Sequence, residues 1–135
     1  MGPSAMVSTI ATFDALVASE LSAVCFVMDY VEFHFNGPVV RSLSSPVVIE
    51  GGERHAFPNH GSRDALCGLI GRSVAEALDE PDQLLLRFAG GAALQIPKRD
   101  PEAGAEVAHF IPMVDGTRDG ASMVIWENLI STRCD

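Results

Sequence analysis

The hydrophobic pattern near the start of the chain predicts a helix. Over residues 9–21 the apolar positions recur with the spacing of one face of an amphipathic helix, and Ser8 or Thr9 can cap its first amide groups. The apolar residues are Ile10, Phe13, Leu16, Val17 and Leu21. Such a helix must bury its apolar stripe, either on the sheet that follows or on a second copy of the protein.

The segment CFVMDYVEFHF alternates in the manner of a strand with one buried face. Val31, Phe33 and Phe35 share one side of this predicted strand, while Glu32 and His34 share the other. An antiparallel sheet commonly exposes one such mixed, charged face to water. We therefore expect a strand whose outer face is solvated.

Turn signals then predict hairpins. Asn36-Gly37 is the strongest short signal for a two-residue hairpin turn, and it brings residues 39–43 back beside the first strand. After Pro46 the segment PVVIEGG predicts a second return. These elements form the first hairpin unit.

A later segment repeats this design. DYVEFHFNG at residues 29–37 and DQLLLRFAG at residues 82–90 share an Asp, a Phe and a Gly at the same spacing. Chance and internal duplication both remain open as explanations, because alternating hairpins resemble one another. If the duplication is real, two similar hairpin units form one curved antiparallel sheet.

A short helix is predicted between the two units. Ser62 is a suitable N-cap with Asp64 in the first turn, and Gly71 suits a left-handed residue after the helix. Leu66, Leu69 and Ile70 supply the apolar face. Residues 73–78 fit either a helix or a strand. One long helix would contain two glycines at about 1 kcal/mol each, which favours a short helix followed by a strand.

The remainder of the chain completes the predicted fold. PKRDPEAGAE is a polar loop, and the short apolar runs EVAHFIPMV and ASMVIWEN should finish the sheet. We expect one α+β domain over residues 1–135, in which an N-terminal amphipathic helix packs on a curved, mainly antiparallel sheet of two hairpin units with a short helix between them. Residues 1–8 and 131–135 are expected to be poorly ordered.

Charge narrows the range of partners. The chain carries 18 acidic and 9 basic residues, for a net charge of −9, and the basic residues are scattered along the chain. Nucleic acids and anionic membranes attract clustered Lys and Arg, so we expect neither as a partner.

No apolar run approaches the ~18 residues of a membrane span and no secretory signal is present, which predicts a cytoplasmic protein. Cys25, Cys67 and Cys134 fit free thiols in a reducing compartment.

Residues 54–71 contain the first candidate for chemistry. His55, His60 and Cys67 give at most three zinc ligands, at spacings that match no common zinc module, so Cys25, His109 or Asp64 would have to complete the site. The favoured interpretation is structural, with loop histidines, Asp64 beside the helix N-terminus, and Cys67 as a small buried residue. We expect no metal and no cofactor, and keep binding through residues 55–67 as an alternative.

Catalytic motifs are equally weak. Cys67 would lie too far into its helix for a strongly lowered thiol pKa, and no glycine-rich oxyanion turn adjoins it. Glu32 and His34 could be approached across the sheet by Glu106 and His109, either as a site or as a solvated strand face. The sequence also contains no phosphate-binding loop and no G-x-S-x-G motif. The sequence therefore favours a non-enzymatic protein over an enzyme.

The segments DYVEFHFNG, LCGLIGRSV and LLLRFAGG together resemble those of small bacterial proteins that are grouped as domains of unknown function. The resemblance covers about residues 24–96. It implies a hairpin, a short Leu-Ile-Gly element and a second hairpin. It implies no activity and transfers no catalytic or binding residue.

The function predicted from these patterns is that of a non-enzymatic bacterial interaction or accessory protein, expected to be a homo-oligomer or to bind a protein partner, since the chain is 47% hydrophobic and has edge strands to cover. The alternative is a ligand-binding protein or enzyme with a pocket in the curved sheet and His34 or His109 as its polar group. The aromatic lining of that pocket would be Phe26, Phe33, Phe35, Phe88 and Phe110.

Overall fold

The computed structural model describes residues 12–130, which are mostly β structure. The strands are β1 (Ala23–Val27), β2 (Tyr30–His34), β3 (Val39–Ser42), β4 (Val47–Glu50), β5 (Glu53–Ala56), β6 (Val74–Asp79), β7 (Gln83–Phe88), β8 (Ala93–Pro97), β9 (Glu106–Ile111), β10 (Met113–Val114), β11 (Thr117–Arg118) and β12 (Val124–Glu127). One short α-helix, α1 (Ser62–Cys67), lies between β5 and β6. Two 3-10 helices span Phe13–Leu16 and Gly120–Ser122.

These strands form two five-stranded antiparallel sheets and one small hairpin. The first sheet has the order β1-β2-β3-β9-β12, and the second has the order β5-β4-β8-β7-β6. The third unit is the β10-β11 hairpin. The edges are therefore β1 and β12 in the first sheet, and β5 and β6 in the second.

One hydrophobic core joins the two large sheets. Val31, Phe33 and Phe35 are buried, as the alternation in β2 predicts, and they belong to the same cluster as buried residues of the second sheet. The second sheet contributes Val48, Val74, Ala77, Leu84, Leu86, Phe88, Leu94 and Ile96 to that cluster. Removal of this apolar surface from water is the main favourable contribution to the fold.

Two short helical elements pack at the sheet edges. α1 contacts β1 of the first sheet and both β4 and β5 of the second. The 3-10 helix Phe13–Leu16 contacts β6, and its Phe13 ring lies edge-on to Trp126 of β12, with ring centroids 5.7 Å apart. The helix α1 thus bridges the edge strands β1 and β5, and the 3-10 helix bridges the edge strands β6 and β12.

Polar contacts of Asp79 join the two sheets where their edge strands β6 and β12 lie side by side. The indole Nε1 of Trp126 donates a hydrogen bond to Asp79 Oδ2 at 3.0 Å. Lys98, which follows β8, forms an ion pair with Asp79 Oδ1. One carboxylate therefore holds groups from both sheets.

The predicted N-terminal amphipathic helix is wrong within the described residues. After the 3-10 helix the chain turns at Ala18, where φ is 76°, and the backbone then bonds to the segment that leads into β6. Leu21 N donates to Arg72 O and Val74 N donates to Ser19 O. Phe13, Leu16 and Leu21 are buried, while Val17 is 45% exposed. The 3-10 helix buries Phe13 and Leu16, and Leu21 is buried separately after the turn, so no continuous helix is needed.

The expected α+β class is also wrong, and the sheet is not a single curved one. The predicted Asn36-Gly37 hairpin is confirmed, as is the return strand β3. However, the hairpin β2-β3 lies in the first sheet, whereas the hairpin β7-β8, whose sequence is similar, lies in the second. Each unit has one apolar face, and the two faces meet each other in the core.

Other boundaries were partly predicted. Residues 73–78 are confirmed as mainly strand, in β6, and Gly71 has a positive φ of 92°. The proposed Ser62 cap is wrong, since Ser62 is the first helical residue and no side chain caps α1. The prediction of a single strand over CFVMDYVEFHF is wrong as well. A turn at Met28 and Asp29 divides this segment into β1 and β2 and pairs Val27 with Tyr30. Residues 1–11, with the suggested Ser8 or Thr9 cap and Ile10, and residues 131–135 lie outside the described part of the chain.

The 3-10 helix makes a direct prediction about stability. Leu16→Ala should lower the free energy of unfolding by about 2–5 kcal/mol, because Leu16 is fully buried. Val17→Ala should change it by less than about 0.5 kcal/mol, because Val17 is 45% exposed and lies outside the buried cluster. Urea unfolding of both variants checks this. Equal losses would indicate the continuous amphipathic helix instead.

Candidate functional site

An open cleft of about 440 Å³ lies at one end of the two sheets. We use "the cleft" for the groove between the β1-β2 turn, residues 42–45, residues 57–63 and residues 100–102. Loops from both sheets and the first turn of α1 therefore meet there. Such convergence of loops on a rigid β scaffold is where binding surfaces commonly form.

An aromatic pair and an arginine form one side of the cleft. Phe26 of β1 stacks on Phe57, which follows β5, with ring centroids 5.6 Å apart and planes inclined by 20°. The Arg63 guanidinium lies over both rings, 5.5 Å from the Phe26 centroid and 5.0 Å from that of Phe57. This cation–π arrangement keeps the guanidinium at the cleft. None of the ion pairs among residues 12–130 involves Arg63.

Apolar side chains beside this stack remain in contact with water. Met28, at the tip of the β1-β2 turn, is 95% exposed, and Val27 and Phe26 are 42% and 37% exposed. The exposed carboxylates of Asp29 and Glu102 also line the cleft. The surface thus combines an apolar protrusion, a groove, one cation and two anions.

A buried polar network fixes the opposite wall. Asp100 accepts hydrogen bonds from the backbone N–H groups of Ser45 and Glu102, each at 2.9 Å. The side chain of buried Asn128 donates to Asp100 O at 2.7 Å and to Gly104 O at 3.0 Å. These bonds tie the loop after β8 to Ser45 and to Asn128, so this wall is held in place without secondary structure.

The outer face of the first sheet carries the second cluster, which we call the outer-face cluster: Cys25, Glu32, His34, Arg41, Glu106 and His109. Strand register places Cys25 opposite Glu32, Glu32 opposite Arg41, and Arg41 opposite His109. His34 Nε2 lies 3.0 Å from Glu32 Oε1, and Arg41 Nε donates to Glu32 Oε2 at 2.9 Å. His109 Nε2 lies 2.6 Å from Glu106 Oε1.

The outer face is therefore polar, as predicted, but Glu32 and His109 do not form one site. Arg41 stands between them on β3 and leaves two separate carboxylate–histidine pairs. Partial burial raises the pKa of Glu32, but the hydrogen bonds of Arg41 and His34 and the charge of Arg41 outweigh this effect and hold the pKa below its usual value. Glu32 is consequently an ionised acceptor at neutral pH and not a proton donor.

The residues singled out in 54–71 are not brought together. His55 Nε2 lies 3.4 Å from Glu53 Oε1, whereas His60 and Cys67 are exposed. The prediction that Cys67 is buried was wrong, because Leu66 occupies the inner side of the short helix α1. Among residues 12–130 the only group of three metal-ligand side chains is Cys25, Glu32 and His34.

The predicted aromatic pocket lining separates in a similar way. Phe33, Phe35, Phe88 and Phe110 lie in the packed core. Phe26 lines the cleft instead. Sequence reasoning missed Phe57, Arg63 and Met28. An isolated aromatic residue in the polar stretch RHAFPNH was the available signal for Phe57, whereas nothing in the pattern marked Met28 as a turn residue.

Comparison with known proteins adds no family. No protein-family model, curated protein or solved structure matches the chain at a significant level. The resemblance of residues 24–96 to small bacterial proteins therefore stays a prediction. No helix of the described residues has the length and apolar character needed to span a bilayer.

The network at the cleft wall predicts a stability effect. Asn128→Ala should reduce the free energy of unfolding by about 1–3 kcal/mol, because it leaves buried backbone groups near Asp100 without this partner. Chemical denaturation measures the change. Asn59→Ala removes an exposed side chain and is the matched control. A similar loss in both variants would contradict a special role for Asn128.

The exposure of Cys67 predicts its reactivity. In the native protein iodoacetamide should modify Cys67 at a rate close to that in the unfolded chain, and it should modify the partly buried Cys25 more slowly. Mass spectrometry of the separated peptides measures both rates at once. Faster modification of Cys25 would contradict the orientation of α1.

Proposed function

We propose that this protein is a non-enzymatic cytoplasmic interaction protein, and that the cleft is its contact surface for a second copy of the same chain. The observation that carries the proposal is the exposure of Met28, Val27 and Phe26 beside a groove. Contiguous exposed apolar side chains of this kind mark interaction sites more often than they mark ordinary surface. Methionine suits such a role because its flexible side chain adapts to a partner's groove.

A second copy fits the shape of this surface. In a twofold dimer the same patch faces itself, so a protrusion on one subunit must meet a recess on the other. Met28 protrudes at the rim of the cleft and the cleft lies beside it. Two such surfaces can therefore exchange their Met28 side chains reciprocally. This exchange would bury the apolar tip in both subunits.

The charges at the cleft are also self-complementary. Arg63 supplies a cation on one side, and Asp29 and Glu102 supply anions. In a twofold arrangement the arginine of each subunit can approach carboxylates of the other, which sets orientation more than affinity. The net charge of −9 opposes association elsewhere on the surface, so a local match of this kind favours one geometry.

The remaining features support an interaction role over catalysis. Within residues 12–130 the outer-face cluster contains two carboxylate–histidine pairs, and the Cys25 thiol beside one of them makes no hydrogen bond to His34 that would activate it as a nucleophile. The free thiols of Cys25 and Cys67 support a reducing compartment. We therefore retain the accessory role without assigning a reaction.

Sedimentation equilibrium tests this function. The wild-type mass should rise with concentration from the 14.4 kDa monomer towards the dimer. Met28→Ser should raise the dissociation constant by about 10-fold or more, as expected for a residue at the centre of an interface. Ile125→Ser is the matched control, because Ile125 is an exposed apolar residue of β12 at the other edge of the sheet.

Thermal unfolding of each variant separates loss of association from loss of folding. A wild-type protein that stays monomeric at every concentration would overturn the proposal. So would a dimer that Ile125→Ser weakens while Met28→Ser leaves it unchanged.

A further inference from the structure

We propose that Cys25, Glu32 and His34 form a zinc-binding site on the outer face of the first sheet. This site is distinct from the cleft and does not depend on the proposed dimer. The sulfur of Cys25, a carboxylate oxygen of Glu32 and a ring nitrogen of His34 all lie within 4.8 Å of one another. Small rotations of these side chains can place all three atoms about 2.0–2.3 Å from a single zinc ion, which is the usual length of a zinc–ligand bond.

Backbone pairing holds the three residues in place. Cys25 and Glu32 are directly opposed on neighbouring antiparallel strands, and His34 is two residues further along the same face of β2. Residues opposed across a ladder have Cβ atoms about 5 Å apart, so the backbone supplies the spacing before any metal arrives. The donors are therefore arranged by regular β structure and not by a loop.

The donor set selects the class of metal. One thiolate, one imidazole and one carboxylate suit a borderline divalent cation such as zinc better than magnesium or calcium, which prefer oxygen donors alone. Three protein ligands leave the fourth tetrahedral position for water or another ligand. The same three residues can accept cobalt, which provides a spectroscopic probe.

Neighbouring arginines have opposite effects on this site. Arg41 bonds to Glu32 Oε2 and leaves Oε1 directed at His34, so it orients the carboxylate as an outer-shell partner does in metal sites. Arg118 Nη2 lies 3.3 Å from His34 Nδ1. This contact fits a neutral ring that accepts through Nδ1 and donates through Nε2 to Glu32.

Metal binding must break the contact with Arg118. When zinc occupies Nε2, the ring carries its proton on Nδ1, and two donors would then face each other. The Nη2 group of exposed Arg118 must move away from the ring, either by pivoting about the 2.8 Å hydrogen bond that Arg118 Nε donates to Gly37 O or by breaking that bond. Arg118 therefore competes with the metal, which separates this site from a purely structural cluster of side chains.

Cobalt titration of the metal-free full chain tests the site. The wild type should bind one equivalent, with a thiolate-to-cobalt charge-transfer band in the near ultraviolet, and zinc should displace the cobalt. Cys25→Ser should abolish the band, and His34→Ala should weaken zinc binding by more than about 100-fold. Arg118→Ala should tighten it by about 10-fold, because it removes the hydrogen bond that competes with the metal, and no structural role of Arg118 predicts this.

Matched variants cover the other thiols and histidines. Cys67→Ser, Cys134→Ser and the double variant His55→Ala/His60→Ala should each retain the band and the wild-type affinity. Circular dichroism of Cys25→Ser checks that its strands remain folded. The absence of a charge-transfer band in the wild type, or its loss in Cys67→Ser or Cys134→Ser, would overturn the proposal.

Discussion

Phe33 and Phe110 on one sheet and Leu86 and Leu94 on the other belong to a single buried cluster, and the burial of these inner faces fixes most of the remaining structure. Two sheets that face each other have open sides, where apolar residues would meet water. α1 packs at one side and the 3-10 helix Phe13–Leu16 at the other. The position of α1 in turn places Arg63 over the Phe26–Phe57 stack. The cleft is therefore a consequence of how the core is closed.

Both candidate surfaces depend on the edge strand β1. Successive residues of a strand point to opposite faces, so Phe26 turns towards Phe57, which follows β5, while Cys25 turns outwards beside Glu32. An edge strand also presents unpaired backbone groups, which natural proteins usually cover or interrupt. In this protein the strand is short and ends in the exposed turn at Met28. Its two faces are thus available for different chemistry.

Local pattern predicted the β2-β3 hairpin, the short α1 and the strand at β6, because alternation and turn residues act over a few positions. It could not predict which hairpin lies in which sheet, since that depends on contacts between residues far apart in sequence. Edge strand β5 was missed because ERHA is polar and shows no alternation. The outer-face placement of Glu32 and His34 followed from the period of two, whereas the approach of Cys25 required the unforeseen turn at Met28 and Asp29.

Lys98 is the chain's single lysine, and its ammonium group is paired with Asp79 and largely removed from solvent. Amine-directed reagents act on free, deprotonated amines, so side-chain labelling of the folded protein must wait until this ion pair separates. Because Asp79 also binds Trp126 of the other sheet, that separation reports on the β6-β12 edge. The molecule therefore carries one intrinsic chemical reporter of local opening at the seam between its two layers.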